Sequence, residues 1–578
     1  MNFKQSLKLR SFARLGILLV IVLLLNIISQ RIFTRIDLTT EKRYTLAKAT
    51  TNLLRNLDDV VYVQVYLEGK FPAGFKRLRN AAEEMLYEFS NVSGGKVQYR
   101  FLDPSQGAEA DRQLLYKDLY DKGLMPTNLQ VKEADGTSQQ IIFPGLLMRY
   151  RGQEVPVNLL ENRPGFGPEQ ALNVSIELLE YKIANGVKKV SQRSSPRIGI
   201  LQGHGELDKK YLADIITNLT DLKYDVKLVD LPTTLSVAKS FETLIIPKPT
   251  QPFLEQDKFK LDQFVMHGGS ILWLIDVTDA DMDSLRGKPF HMAATRQLNL
   301  DDQLFKYGVR LNGDLVQDMQ SNVIPIVVGE GNPPQTQLLP WPYFPVLTSY
   351  TDDPNDVRLP KPHTIVRNLD AIAAQFISTI DTIRVPGVKK TPLLFTSRNS
   401  KAVLAPARLH FAILKEQPNP QNYNKAYMPV AYLLEGNFPS LFKNRLSAET
   451  IKTLNDSLQN VGFKDASVYA KMIVIADGDI IANQVASDGN PYLLGYYPFT
   501  KQTFANKDFI LNCIEYLTDD AQLIETRNKE IKLRLLDKQR VRDHKLTWQV
   551  VNMAVPVLLV ALFGLVYNFI RRRKYARN

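Results

Sequence analysis

The stretch IGILQGHGELDKKYLADIITNLTDL, residues 198–222, holds a strand, a glycine-bounded turn and a helix in immediate succession. Its first five residues carry no charge, as in a strand buried on both faces. After Glu206 the apolar side chains return at helical spacing, and Gly203 and Gly205 permit a sharp turn between the two elements. The stretch therefore predicts a strand–turn–helix unit of an α/β domain.

The same alternation of strands and helices continues beyond this stretch. Strands are predicted at 224–231, 241–249 and 270–276, with a helix at 255–269. Alternating buried strands and helices indicate a parallel, doubly wound sheet, and ligands of such sheets bind at the carboxyl ends of the strands. The GHGE turn and Asp276 are both expected at that edge.

Gly203, His204, Gly205 and Glu206 are the candidate contacts for a ligand or a partner. A histidine and a carboxylate two residues apart can act as an acid–base pair. A nucleophile would also be needed, but the sequence has no GxSxG motif, and its one cysteine, Cys513, falls on the apolar face of a predicted helix. We predict no catalytic and no cofactor-binding residue, and the turn is either a contact site or purely structural.

The sequence also predicts no metal site. Zinc sites with two or more cysteines are excluded, and no two of the six histidines are four residues apart. Asp477 and Asp479 of the ADGD stretch, 476–479, have spacing suited to calcium, but the further oxygen ligands of an EF-hand loop do not follow. A turn after a strand is the preferred interpretation.

Nucleotide hydrolysis is not expected from this chain. A phosphate-binding loop of the form GxxxxGK[ST] is missing, and the stretches SGGKV (93–97) and PGVKKT (386–391) both fail the pattern. If the protein takes part in driven work, another chain must hydrolyse the nucleotide.

The net charge of +12 is concentrated beside two apolar runs. The basic N-terminus 1–14 precedes a predicted transmembrane helix at 15–33, and the basic tail 571–578 follows a second one at 549–570. Positive flanks mark cytoplasmic sides, so both termini are expected in the cytoplasm and the bulk in the periplasm, with the protein in the bacterial inner membrane. We predict a lipid bilayer as a partner and no nucleic acid, because no nucleic-acid-binding motif accompanies the charge.

Between the spans the sequence predicts two α/β domains. The first, 34–187, has the element order β-α-β-α-β-β-α of a thioredoxin-like domain, or of another small α/β sandwich, and contains no CxxC. A linker is expected at 188–197, and a larger domain at 198–520. Within it, 322–362 is too rich in proline for regular elements. A charged stalk helix is expected at 521–548.

Seven stretches together resemble a known family. They are IDLTTEKRYTLAKATTNLL, VYLEGKFPAGFKRLRNAAEEML, FLDPS, LQGHGE, YGVRLNGDLVQD, VIADGDIIAN and NKDFILNCIEYL. This set is similar to the GldG family, the gliding-motility-associated auxiliary components of ABC transporters in Bacteroidota, over nearly the whole chain. The resemblance implies an ABC-transporter auxiliary domain with an amidotransferase-like fold in the middle of the chain. It also implies two partner subunits, a GldF-like permease and a GldA-like ATP-binding subunit, and a role in gliding motility.

The combined interpretation is a non-enzymatic, membrane-anchored auxiliary subunit that couples a separate ATPase and permease to periplasmic domains. Two alternatives stay open. One is a periplasmic component that binds a small molecule, and the other is a membrane-anchored hydrolase.

Overall fold

A computed structural model describes residues 15–22, 45–133, 136–161, 167–192, 194–328, 335–349, 359–367, 369–415, 418–457, 462–519, 523 and 542–575. The chain divides into two compact units, residues 1–528 and 529–578. In the described part of the first unit, the two largest sheets have four and seven strands and lie in separate hydrophobic cores, beside six small sheets of two or three strands. The described part of the second unit is helical. The expectation of a mixed α/β fold is confirmed.

The N-terminal domain is a four-stranded sheet of order β2-β1-β5-β6, in which only β1 and β2 are parallel. Its elements are α1 (Lys48–Arg55), β1 (Val61–Val65), α2 (Ala73–Val92), β2 (Val97–Phe101), α3 (Glu109–Asp121), β3 (Thr127–Glu133), β4 (Gly136–Ile142), β5 (Gly145–Tyr150), β6 (Gln153–Asn158), α4 (Pro168–Glu177) and α5 (Leu179–Ser191). On α2, the buried Leu78, Ala82, Leu86 and Phe89 recur at helical spacing and pack into the core of this domain. The domain is therefore closed by an amphipathic helix on its sheet.

Residues 127–158 of this domain form two hairpins, whereas the element order predicted from the sequence has one pair of adjacent strands. β3 and β4 pair only with each other, with Glu133 opposite Gly136, whereas β5 and β6 belong to the main sheet. Pro144 separates the two, because it has no N–H to donate, and its carbonyl accepts hydrogen bonds from the loop after β6. The predicted linker 188–197 begins inside α5 and ends in the next strand.

The second domain contains the larger sheet. Its elements are β7 (Arg197–Gln202), α6 (Ala213–Asp221), β8 (Asp225–Asp230), β9 (Thr243–Pro247), α7 (Glu255–Met266), β10 (Ser270–Leu274), β11 (His291–Ala293), α8 (Asp301–Tyr307), β12 (Val309–Leu311), β13 (Asp314–Asp318), β14 (Ser321–Val328), β15 (Gln335–Leu347), β16 (Ile372–Ala373), β17 (Ile380–Thr382), β18 (Val388–Phe395), β19 (Ser400–Leu404), β20 (Ala407–Leu409), β21 (Pro429–Gly436), α9 (Ala448–Ser457), β22 (Ala470–Ile475), β23 (Tyr496–Tyr497), β24 (Gln502–Thr503) and α10 (Asn506–Thr518).

The seven-stranded sheet has the order β18-β21-β22-β10-β9-β7-β8. Strands β8, β7, β9, β10 and β22 are parallel, and β21 is antiparallel to both of its neighbours. From β7 the chain moves outward to β8 and then returns to the other side of β7 with β9. The strand order therefore reverses between β7 and β9, which is the position where open α/β sheets form a crevice.

Helices cover both faces of this sheet. Leu272 packs on one face with Ile215 of α6 and Cys513 of α10. The next residue, Trp273, points to the opposite face and packs with Phe264 of α7. The doubly wound arrangement and the core position of Cys513 agree with the sequence-based expectation.

The prediction that 322–362 lacks regular elements is wrong for residues 322–328 and 335–347. β14 and the 13-residue β15 form an antiparallel hairpin, although β15 contains Pro340 and Pro342. Proline is tolerated because β16 pairs only with the last two residues of β15, so most of β15 needs hydrogen bonds on one side alone. The register also shifts between Ser321 and Val323 of β14, as at a β-bulge.

The second unit contains α11 (Lys545–Tyr575). Among the described residues, Lys545–Lys574 is the one helix long and apolar enough to cross a membrane, and its most apolar window is wholly exposed. Of the first predicted span, 15–33, residues 15–22 are helical with exposed side chains, and the remainder lies outside the described residues. Most of the predicted stalk, 521–548, also lies outside them.

Candidate functional site

The loops after β7, β9, β10 and β22 meet at the carboxyl edge of the large sheet. They carry the GHGE turn, Lys248, Asp276 and the pair Asp477 and Asp479. The first two loops flank the reversal of strand order, so this edge is where a ligand of the domain is expected.

The imidazole of His204 fills the crevice beside the GHGE turn. The side chain is 4% exposed and stacks on Phe253, with ring centroids 3.8 Å apart and planes inclined by 8°. Its Nε2 lies 3.2 Å from an Asp257 carboxylate oxygen at the start of α7. Asp257 in turn accepts a hydrogen bond from Lys260. The ring therefore links the end of β7 to α7.

Glu206 closes the turn on itself. Its carboxylate accepts a hydrogen bond of 2.7 Å from the backbone N–H of His204, and its side chain is fully buried. The His204 carbonyl then accepts the N–H groups of Thr250 and Gln251, each at 2.9 Å, and the Thr250 hydroxyl donates to the carbonyl of Gly205. These bonds join the loops after β7 and β9 across the reversal point.

Of the four candidate contacts in the turn, two have buried side chains and two face the surface. The side chains of His204 and Glu206 point inward, whereas Gly203 and Gly205 are exposed. A ligand or partner at this turn would meet glycine backbone first. Among the described residues, no hydroxyl or thiol hydrogen-bonds to the imidazole of His204, so the geometry lacks the nucleophile of a hydrolytic site.

A buried cluster around Lys248 lies on the other side of the β9 loop. The Lys248 ammonium contacts both oxygens of Asp479 at 2.6 Å and one oxygen of Asp276 at 3.1 Å, and Asp281 lies 3.7 Å away. The Lys248 side chain is 8% exposed. Gly478 permits this packing, since a Cβ there would lie 2.6 Å from the stem of Lys248.

The carboxylates of this cluster outnumber its one ammonium. Burial opposes the charged form of Lys248, but Asp276 and Asp479 raise its pKa above the ordinary value. Burial and the charge of Asp276 raise the pKa of Asp479 to about 6, against the opposing effect of Lys248. Burial and the charges of Asp479 and Asp276 also raise the pKa of Asp477 well above its ordinary value. The surroundings of the cluster therefore favour the protonated forms of Asp477 and Asp479.

Asp276, Asp477 and Asp479 place one oxygen each within 4.8 Å of one another, a spacing that suits a metal ion. Asp477 instead accepts the backbone N–H groups of Asp479 and Gln375, and Lys248 occupies the position of a cation beside the other two. The ammonium supplies the positive charge that a metal would bring. Lys248 is not among the residues predicted from the sequence, although a lysine between two prolines after a buried strand is a local signal for it.

Comparison with known proteins places this geometry in context. The family described as an ABC-type uncharacterized transport system matches residues 195–513, and a domain of unknown function matches residues 40–149. An uncharacterized protein of Borreliella burgdorferi is 22% identical over 567 residues, 96% of this chain and 97% of that protein. The solved mmIFT52 N-terminal domain covers 56% of this chain, and 97% of its own, with 13% identity and a TM-score of 0.31.

Proposed function

Because the chain belongs to the ABC-type uncharacterized transport system family, which matches more than half of its residues, we propose that it is a non-enzymatic, membrane-anchored auxiliary subunit of an ABC transporter complex. The family supports association with transporter components. The His204 turn and the Lys248 cluster, both engaged in internal contacts, support a role without catalysis.

The observation that carries the proposal is the exposed apolar helix α11 in a chain with this family domain. Leu558, Val560, Phe563 and other large apolar side chains around the helix are more than half exposed. Such a surface is stable in lipid or against other transmembrane helices. Arg571 follows the apolar run and begins a basic cluster, which supports a cytoplasmic C-terminus.

The finer features of the proposal rest on the sequence resemblance. We infer a second span at 15–33, a periplasmic body, and coupling to a GldF-like permease and a GldA-like ATP-binding subunit in gliding motility. The strand order β2-β1-β5-β6, with the first pair parallel, supports a thioredoxin-like arrangement of the N-terminal domain with an inserted hairpin.

Detergent co-purification tests the role of α11. The full chain, and a variant in which residues 549–570 are replaced by an unrelated apolar span of equal length, are each expressed with the candidate permease and ATPase. Both proteins should remain in the membrane fraction, because length and hydrophobicity suffice for insertion. We expect the native chain to recover the permease and the ATPase, and the variant to recover much less of both.

A matched control keeps the span and changes the body. Lys227→Met, which removes an exposed lysine of β8 and leaves the span intact, should co-purify as the native chain does. Full recovery of the permease by the span-replaced variant would refute contact through α11, and no recovery by the native chain would refute membership of the complex.

A further inference from the structure

A cleft of about 380 Å³ lies between the two α/β domains of the first unit. One wall is formed by β6 and the end of α5, and the other by the turn between α6 and β8 and the end of α10. Its lining includes the side chains of Lys189, Ser195, Lys223, Tyr224 and Thr518. The volume suits a small molecule, and clefts between domains are common binding sites.

The acidic groups at this cleft are already engaged with the protein. Glu515 accepts hydrogen bonds from Asn185 at 2.7 Å and from Tyr181, and Asp519 pairs with Lys188 at 2.7 Å. Glu154 pairs with Arg149 on the neighbouring strand. These contacts connect α5 to α10 and leave few free acceptors for a further cation.

Two lysines lining the cleft lack such partners. Within the described ranges, the side chains of Lys189 and Lys223 form no ion pair and no hydrogen bond. Lys189 is partly buried, and burial lowers its pKa although nearby Glu515 favours the ammonium form. An ammonium partly removed from water without a direct partner is destabilised, and an anion would relieve this cost.

We propose that this cleft binds a small phosphorylated molecule whose phosphate group contacts the ammonium groups of Lys189 and Lys223. A phosphate carries close to two negative charges at neutral pH, which matches two ammonium groups. The hydroxyl of Ser195 can donate to one of its remaining oxygens. The hydroxyl of Tyr224 can donate to another by leaving its 3.4 Å contact with Thr518, whose own hydroxyl donates to the carbonyl of Ile514. The bound molecule would contact both domains at once.

Thermal unfolding of the full chain in detergent tests this assignment without any partner subunit. The midpoint is measured against rising inorganic phosphate, glycerol phosphate or micellar short-chain phosphatidic acid, with chloride at equal ionic strength as the blank. We expect a saturable rise with at least one phosphate compound. A larger response to glycerol phosphate indicates a soluble phosphorylated molecule, and a response confined to the micelles indicates a lipid headgroup. No saturable rise with any of the three overturns the proposal.

Two substitutions and one matched control locate the site. Lys189→Met and Lys223→Met should each weaken binding by about tenfold or more, since each removes a charge-assisted contact. Lys227→Met removes the same charge from β8, where Lys227 is 59% exposed and pairs with Asp225, and should leave the affinity unchanged. If Lys189→Met does not fold, the exposed Lys223 decides alone. Equal affinity in Lys223→Met and Lys227→Met overturns the site.

Discussion

Lys248 shows how one side chain can replace a bound ion. It lies after β9 with φ at +55°, a strained conformation for lysine, and its ammonium contacts Asp479 and Asp276 inside the domain. The ion pairs of the ammonium with Asp479 and Asp276 offset the free-energy cost of this strained backbone conformation. The residue is therefore a structural cation beside three carboxylates whose spacing would also suit a metal ion.

Replacing this lysine should destabilise the second domain strongly. Lys248→Met leaves buried carboxylates without their cation, and we expect a loss of about 3–5 kcal/mol in the free energy of unfolding at pH 8. Urea unfolding followed by tryptophan fluorescence, to which the buried Trp273 and Trp341 of this domain contribute, measures this loss. Lys227→Met, an exposed lysine on β8, is the control and should change little.

The loss of unfolding free energy in Lys248→Met should depend on pH, and in a defined direction. The pKa of Asp479, about 6, lies above its ordinary 3.8, so protonation favours the folded state. This contribution is complete below pH 3.8 and is lost as the pH rises through 6. Without Lys248 the pKa moves further upward, so the deficit should be smaller at about pH 5 than at about pH 8. An equal deficit at both values would show that the ion pairs do not control stability.

The GHGE turn resembles an active site in sequence, but in the structure it connects the loop after β7 to the loop after β9. Its backbone approaches the β9 loop so closely that a Cβ on Gly205 would lie 2.2 Å from the hydroxyl of Thr250. The turn is therefore fixed by contact between two loops. The exposed Gly203 and Gly205 stay predicted contacts for a ligand or a partner.

Substitution of Gly205 tests the contact between these two loops directly. Gly205→Ala combines a left-handed φ of +72° with the overlap on Thr250, so we expect a loss of about 2–4 kcal/mol. Gly152→Ala has a similar φ of +83° with open space around it, and should lose only about 1 kcal/mol. Thermal or urea unfolding measures both. Adding Thr250→Ala to Gly205→Ala should recover part of the loss, and equal losses in the two single variants would contradict the close contact.

The sequence was sufficient to predict elements with strong local patterns and insufficient where long-range contacts decide. Buried strands such as β10 and amphipathic helices such as α10 can be predicted from the spacing of their apolar residues. The proline-rich β15 could not be predicted in this way. Proline is acceptable there only because most of the strand has no neighbour on one side, and the absence of that neighbour depends on tertiary pairing. The Lys248 cluster joins residues from the β9, β10 and β22 loops, up to 231 positions apart, so no local spacing could reveal it.

At the scale of the whole molecule, the first unit combines two α/β domains through a polar contact between α5 and α10. Glu515 and Asp519 on the side of the large sheet bind Asn185 and Lys188 on the other. This contact joins the two domains within the first unit, and the proposed phosphate cleft opens beside it. One labelled residue in the second domain therefore tests the proposed periplasmic position of both domains.

The chain's own cysteine content permits a clean test of that position. Cys513 is the one cysteine of the sequence and is fully buried, and burial raises the pKa of its thiol well above the ordinary value, so it should not react with maleimides in the folded protein. Leu235→Cys places a thiol at a side chain that is 89% exposed in the second domain, and Lys574→Cys places one beyond the apolar run of α11.

A membrane-impermeant maleimide is added to cells whose outer membrane has been opened and whose inner membrane is intact. This labelling should then distinguish the periplasmic from the cytoplasmic side of the inner membrane. We expect Leu235→Cys to react at once and Lys574→Cys to react only after the inner membrane is permeabilised, because the basic flank of α11 favours the cytoplasm. The native chain gives the background from Cys513. Reaction of Leu235→Cys only after permeabilisation would place the body in the cytoplasm, and the proposed coupling would then have to act from that side.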